Sequence, residues 1–480
     1  MTSHLTDRNS ASQRESERSP GPKRPGPKRD VLKAARLGAA VVAFAIGQTI
    51  AAAPAAAQTL LRDAEIEEWL DERATPLLEA AGIQPDRIEI LLIGDPTFNA
   101  FAGGHVMGFH TGMLTTAETP NQVEAVIAHE VGHIAGGHTA RSDEVISTAT
   151  APMLLSLVLA AGAVAAGAPQ AGMGILGLGQ NIGLANYLKY SRGQEASADS
   201  ASLEFLEKLG KSGEGALEIW RKLRNTQIIR GQRINPYQQT HPLAVEREEA
   251  LRERVESSPY FGKEDSPEEV YRLKMIQAKI YGFLQDTKFT LRQFPESDAS
   301  DPARYARAVA YYRGADLDKA RAEIDALIEA HPDNPYFHEL KGQMLFEFGH
   351  VAESIEPHRK SVELDPTAAL LRVNLGRALL GLEDIGHADE AITELKRAVL
   401  LEKDNAFAWF ELSRAYGLKG DIPMAHLATA ESKYQSGQVG EAAQFAQRAL
   451  EGLPQGSPDR RRAQDILAAA RARAASARNR

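Results

Sequence analysis

The chain has no cysteine among its 480 residues. That absence excludes a disulfide framework, a thiolate metal site, a cysteine nucleophile and a lipidated N-terminal cysteine. It also leaves the redox compartment unreadable from composition. Aromatic residues are few, at 6%, while Ala and Leu crowd the second half and favour helix. Positive charge is scarce over the body of the chain. The formal net charge is -9, yet residues 1–36 carry nine Lys/Arg against four Asp/Glu, so the remainder is about 14 negative. An acidic body argues against nucleic acid as the main partner. Arg460, Arg461, Arg462, Arg471, Arg473, Arg478 and Arg480 form a basic tail, read as a solvated helix end. Two stretches, 37–57 and Val145–Leu188, lack charge altogether.

The first of these follows Lys28, Arg29, Lys33 and Arg36 and ends in Ala51–Ala57. A basic region, a short apolar run and a small-residue exit describe an export signal, with cleavage after Ala57. Retention as an anchor is the alternative. The first half of the second stretch, Ala151–Ala168, approaches the length of a membrane span, but the stretch is rich in Ala and Gly and interrupted by Pro152, Ser156 and Pro169. A buried hairpin or a flap over a cleft is the first expectation for it, and membrane contact the second.

Between them, Asp63–Ala81 has helical apolar spacing, Arg87–Ile93 alternates as a strand, and Phe98–Leu114 reads mostly as short strand. A helix starts at Thr119, a cap, with Pro120 at its first position and Gln122 completing a capping box; Gly136-Gly137 stops it. That helix carries His129-Glu130-Val131-Gly132-His133, an HExxH sequence. Positions four apart share one helical face, so two neutral imidazoles there can grip one Zn²⁺. Glu130 projects beside them as a general base for a metal-bound water.

A catalytic zinc needs a third protein ligand and an open position. A His six residues after the second His would supply one, but that residue is Thr139, and His138 is one short of the register. The other candidate lies beyond the uncharged stretch, where Glu195 and Asp199 are again four apart on one face. Glu195 can ligate zinc, and Asp199 can accept a hydrogen bond from a ligand His and fix its tautomer. His105, His110 and His138 are assigned no role.

After a helix at Ser266–Gln285 and a linker at 294–300, the pattern becomes periodic. Pro332 and Pro366 are 34 residues apart, as are Gly342 and Gly376. This period resembles tetratricopeptide repeats, whose stacked helix pairs present a concave groove for protein segments. The third repeat is stretched near Glu383–Ala388.

Asn99-Ala100-Phe101-Ala102, His129–His133, Glu195-x-x-x-Asp199 and Thr240-His241-Pro242 with Arg247 together resemble the gluzincin family of HtpX and the CAAX prenyl proteases. The resemblance covers about residues 60–260. It implies one zinc per chain held by His129, His133 and Glu195, with Glu130 as base. It also implies that His241 faces the cleft, to donate to a tetrahedral oxyanion or to cap the zinc at rest, with Arg247 stabilising the same charge; a structural His and a salt-bridging Arg are the alternative. Asn99, Ala100 and Phe101 then form an edge strand for extended substrate. Adding the export signal and repeats narrows the resemblance to periplasmic members that assist outer-membrane β-barrel assembly.

The expected fold is mainly α: a zincin-like α+β protease domain with a small edge-strand sheet, then an α-solenoid. The expected boundaries are 1–57 signal, 58–262 protease, 263–300 helical linker, 301–457 repeats and 458–480 basic helical tail. The expected function is a periplasmic zinc endopeptidase acting on unfolded or misassembled proteins, its repeats binding clients or an outer-membrane assembly complex. A repeat-based chaperone with an incidental zinc site, and a membrane-associated protease using 145–188, are the alternatives.

Overall fold

The computed structural model describes residues 59–138, 192–230, 241 and 245–478. The export segment 1–57 and the uncharged stretch 145–188 lie outside the described residues, as do Thr240 and Pro242. The described residues all belong to one compact unit.

Strands β1 (Thr59–Leu61), β2 (Glu89–Gly94), β3 (Ala100–Gly103) and β4 (Val106–His110) form one sheet in the order β1-β2-β4-β3. Only the β2–β4 pair is parallel. Helix α1 (Ala64–Ala80) starts at Asp63, whose carboxylate accepts the Ile66 N–H at 3.0 Å. Its Trp69, Leu70, Leu77 and Leu78 pack with Met107 and Phe109 of β4 into the main core. The expected strand character of Phe98–Leu114 ends early. His110 closes β4 and Thr111–Thr116 turns into a short helix, α2, with Met113 and Leu114 buried.

Helix α3 (Pro120–Ala135) carries the HExxH residues, and every residue from Pro120 to His133 is buried. Thr119 caps it, accepting from Gln122 N at 3.3 Å. The reciprocal half of the expected capping box is displaced. The Gln122 carbonyl takes the N–H of Glu118 at 2.9 Å, and its amide donates to Glu218 at 2.8 Å, so a neighbouring helix redirects the side chain. That neighbour is α5 (Glu214–Arg230); before it comes α4, 192–208, and after it α6 (Val245–Ser257). Helix α4 crosses α3 so closely that a Cβ on Gly132 would stand 2.8 Å from the Ala198 carbonyl oxygen. The glycine inside the HExxH motif is what allows that approach.

The segment expected as a helical linker contains α7 (Pro267–Leu284), opened by a full capping box at Ser266 and Glu269, and α8 (Thr287–Gln293). Leu273, Ile276 and Ile280 of α7 enter the main core. Met275 and Ala278 enter the next core, with Tyr305 and Val309. The helix is therefore shared packing between two regions and more than a tether.

The repeats follow as α9 (Asp301–Arg313) with α10 (Leu317–Ala330), α11 (Pro335–Glu347) with α12 (Val351–Leu364), α13 (Ala369–Leu380) with α14 (Ala388–Leu401), and α15 (Ala406–Lys419) with α16 (Ile422–Gln435). The two glycines at the 34-residue period sit where paired helices touch: a Cβ on Gly342 would meet the His358 ring, and one on Gly376 would meet Leu395. The expected stretch in the third repeat is a 3₁₀ turn at Ile385–His387. Helix α17 (Val439–Gly452) pairs with α18 (Pro458–Arg478). The basic tail differs here from expectation. Ala463, Ile466 and Ala470 are buried, and Arg462 pairs with the buried Glu431, so its helix closes the last repeat.

The start of α1 also touches the first helices of the repeats. Ala64 shares a core with Tyr336 and Leu371. Arg62 pairs with Glu402 at 2.9 Å. Buried Lys279 lies 2.8 Å from Asp63, 3.1 Å from Glu65 and 3.9 Å from Glu339, and Tyr305 donates to Glu65 at 2.7 Å. Burial opposes the charge on Lys279, but these acidic neighbours hold its pKa well above the usual amine range. Burial pushes the Glu339 carboxyl up to about 7 against the pull of Lys279. Among the described residues no helix is long and apolar enough to cross a membrane.

Candidate metal centre

Three separated segments bring four side chains together: His129 and His133 from α3, Glu195 from α4, and His241. Each offers one ligand-type atom, and all four atoms lie within 4.8 Å of one another. His129 Nε2 is 3.1 Å from His133 Nε2 and 3.3 Å from Glu195 Oε2. His133 Nε2 is 3.3 Å from Glu195 Oε1. His241 Nδ1 is 3.1 Å from both Glu195 oxygens and 3.3 Å from His129 Nε2.

A tetrahedral zinc with bonds of about 2.0–2.1 Å has neighbouring ligand atoms roughly 3.3 Å apart. The spacings of 3.1–3.3 Å among His129, His133 and Glu195, and from His241 to His129 and Glu195, are close to that edge, and imidazole with carboxylate is a zinc-type donor set. Charge points the same way. Glu130, Glu195 and Asp199 are all buried, against one buried guanidinium, Arg247, so with neutral imidazoles the pocket favours a dication. A proton feels the same field. Burial disfavours a charged His129, yet its hydrogen bonds to Asp199 and Glu195 push it up to about 10. Burial would raise the Glu195 carboxyl, but hydrogen bonds from His129, His133 and His241 hold it well below the usual carboxylate range. Asp199 is likewise lowered by His129 and Arg247 against its burial.

The outer contacts are as specific. His129 Nδ1 lies 3.0 Å from Asp199 Oδ1. Arg247 grips Asp199 through Nε at 2.7 Å and Nη2 at 2.9 Å, reaches Glu195 at 3.1 Å, and stacks on Trp220 at 4.9 Å. Of the two expectations for Arg247, charge stabilisation and salt bridging, these contacts are of the second kind: the guanidinium pairs with the candidate ligand Glu195 and with Asp199 behind it, two buried carboxylates that need a cation once out of water. Both oxygens of Glu130 are buried without a hydrogen-bond partner, and His241 Nε2 stands 3.5 Å from one of them. A buried carboxylate with no hydrogen bond has acceptor capacity to spare beside the ligand cluster.

Strand β3 forms one end of the sheet and packs against α3. Ala100 is buried, Phe101 is 36% exposed, and Asn99 precedes the strand with its amide nitrogen 3.4 Å from His110. None of these three belongs to the four-residue cluster. One neighbour of the cluster escaped the sequence reading: His138 Nδ1 lies 3.1 Å from His133 Nδ1. The signal was present as Gly136-Gly137, which turns the chain back at the helix end.

The four residues of the cluster fall within the stretch that matches a known family model. The model of peptidase family M48 matches residues 63–255, and a tetratricopeptide-repeat model matches residues 288–344. The beta-barrel assembly-enhancing protease of Escherichia coli (strain K12) is 25% identical over 392 residues, 80% of this chain and 78% of that one. A putative beta-barrel assembly-enhancing protease of Vibrio cholerae is 26% identical over 290 residues, 58% of each chain. The Escherichia coli metalloprotease LoiP is 29% identical over 188 residues, 38% of this chain and 70% of LoiP. The family match and the relatives' names support a metalloendopeptidase.

Proposed function

We propose that this chain, which carries a peptidase family M48 domain ahead of tetratricopeptide repeats, is an exported zinc endopeptidase for unfolded or misassembled proteins. The observation that carries the reading is the convergence of His129, His133, Glu195 and His241 beside a buried Glu130 whose oxygens make no hydrogen bond. His129, His133 and Glu195 would hold the ion, which would supply a Lewis acid and activate a water for attack. Glu130 takes the proton of the attacking water and passes it to the leaving amine. Asp199 fixes the His129 ring, and Arg247 holds Asp199 and Glu195 in place. His241 is the fourth side chain of the cluster, and a catalytic site needs an opening for water. Its placement supports a resting cap that withdraws when substrate arrives.

An extended substrate pairs along β3 by main-chain hydrogen bonds, which read little side-chain identity. Selection then comes from access, and unfolded chains fit where folded ones do not. The relatives' shared name supports clients among outer-membrane β-barrel proteins, with the repeats binding them or an assembly complex. Export to the periplasm rests on the segment 1–57, and membrane contact through 145–188 is the variant of this reading.

The test is Glu130→Gln in the full chain, with zinc content and cleavage of an unfolded polypeptide measured together. Zinc should stay while cleavage falls by about 10²–10⁴-fold. Cleavage that persists at the wild-type rate would remove the enzymatic reading and leave an adaptor built on the repeats.

A further inference from the structure

We propose that His138 is a positioning residue for the metal site: its Nδ1 accepts the Nδ1–H of His133 and fixes the tautomer that leaves His133 Nε2 bare for the ion. This rests on the reading of His133 as a ligand.

The helix end builds the contact. Gly137 has φ +63°, the left-handed conformation glycine tolerates best. The N–H of His138 donates to the His133 carbonyl at 3.0 Å, and that of Gly137 to the Ile134 carbonyl at 3.0 Å. These two bonds define a Schellman motif, in which the residue after the glycine packs back on the residue five before it. That contact is commonly hydrophobic. Here the two residues are His138 and His133, with ring centroids 5.1 Å apart and nearly perpendicular planes. Gly136 makes the room, since a Cβ there would stand 2.5 Å from His138 Nε2.

The chemistry follows from the nitrogen inventory. One proton serves an Nδ1···Nδ1 bond. His133 turns Nε2 toward His129 and Glu195, so that nitrogen must be unprotonated to ligate, and the ring's proton sits on Nδ1. His138 therefore accepts through Nδ1 and carries its own proton on Nε2. His129 has the equivalent arrangement, with Asp199 as its acceptor. Each ligand imidazole in α3 thus has its own outer partner, one a carboxylate and one a neutral ring.

The test is zinc competition against a chromophoric chelator with the full chain. His138→Leu keeps an apolar contact on the helix end but removes the acceptor. His138→Asn places an amide oxygen where Nδ1 was. The leucine variant should bind zinc about 10–100-fold more weakly, with the metal-free melting temperature unchanged, and the asparagine variant should recover most of that loss. Gly136→Ala is the second probe, should the leucine variant not fold. It keeps His138 but displaces its ring, and should also weaken zinc binding. A leucine variant that binds within about twofold of wild type, or an asparagine variant as weak as leucine, overturns the inference. Glu195→Ala is the control for the ligand reading: if it binds zinc as tightly as wild type, that reading fails first, and the two failures are distinct.

Discussion

In Gly132→Ala the added methyl would stand 2.8 Å from the carbonyl oxygen and 3.0 Å from the Cα of Ala198. Both are backbone atoms of α4, so no side chain can rotate away. Reaching an ordinary contact of 3.4 Å requires the two helices to part by about 0.6 Å, an overpacking strain of the kind that costs about 1–3 kcal/mol. Removing a helix-interior glycine returns about 1 kcal/mol of helix propensity. The metal-free chain should therefore lose only about 0–2 kcal/mol. Zinc binding should suffer more. Glu195 rides on α4 three residues before Ala198, and metal–ligand distances tolerate only about ±0.2 Å. We expect zinc affinity to fall at least about tenfold, as outer-shell disturbances of metal sites do. Chelator competition reads the affinity, and urea denaturation of the metal-free chain reads the stability. A variant that holds zinc within twofold of wild type, or that gains the full propensity term, would show that the crossing of α3 and α4 does not set the site.

Three further outcomes follow from named contacts. Lys279→Met should cost about 3–5 kcal/mol in urea denaturation, because it strands Asp63, Glu65 and Glu339 without their cation; a loss under about 1 kcal/mol would refute this. His358, buried beside Arg377, has its pKa lowered from 6.5 to about 3 by burial first and that charge second. A depressed histidine leaves the native state with fewer bound protons, so its contribution is intact above pH 6.5 and lost as pH falls toward 3. Between pH 7 and 5 this is about 2 kcal/mol, and His358→Gln should flatten that slope; equal slopes would sink the assignment. His241→Gln should raise basal cleavage if the ring caps the site at rest, whereas lost cleavage with zinc retained would favour donation to the oxyanion.

The parts of this protein written as local pattern were legible in the sequence. The HExxH helix with its Thr119 cap and Gly136-Gly137 stop is written in one continuous stretch of chain, and Gly342 and Gly376 recur at a fixed 34-residue period. Glu195 and Asp199 were legible because two acidic residues four apart again mark one helical face. What the sequence withheld depends on contacts across many residues. Gln122 turns to Glu218 on another helix, Arg247 to two carboxylates about fifty residues earlier, and Lys279 to Asp63 more than two hundred earlier. No periodicity announces such pairings. His138 is the exception, since its contact is local. Its register as a ligand fails, and what places it is its position after a left-handed glycine.

The seating of α1 against the first helices of the repeats changes how truncations should be interpreted. A chain cut off near residue 262 would lack Lys279 and Tyr305, leaving Asp63 and Glu65 without the ammonium that pairs with both and Glu65 without its hydroxyl donor. It would also lose the Leu273, Ile276 and Ile280 wall of its own core. Inactivity of such a fragment would report a peptidase missing one side, and would say nothing about whether the repeats deliver its clients.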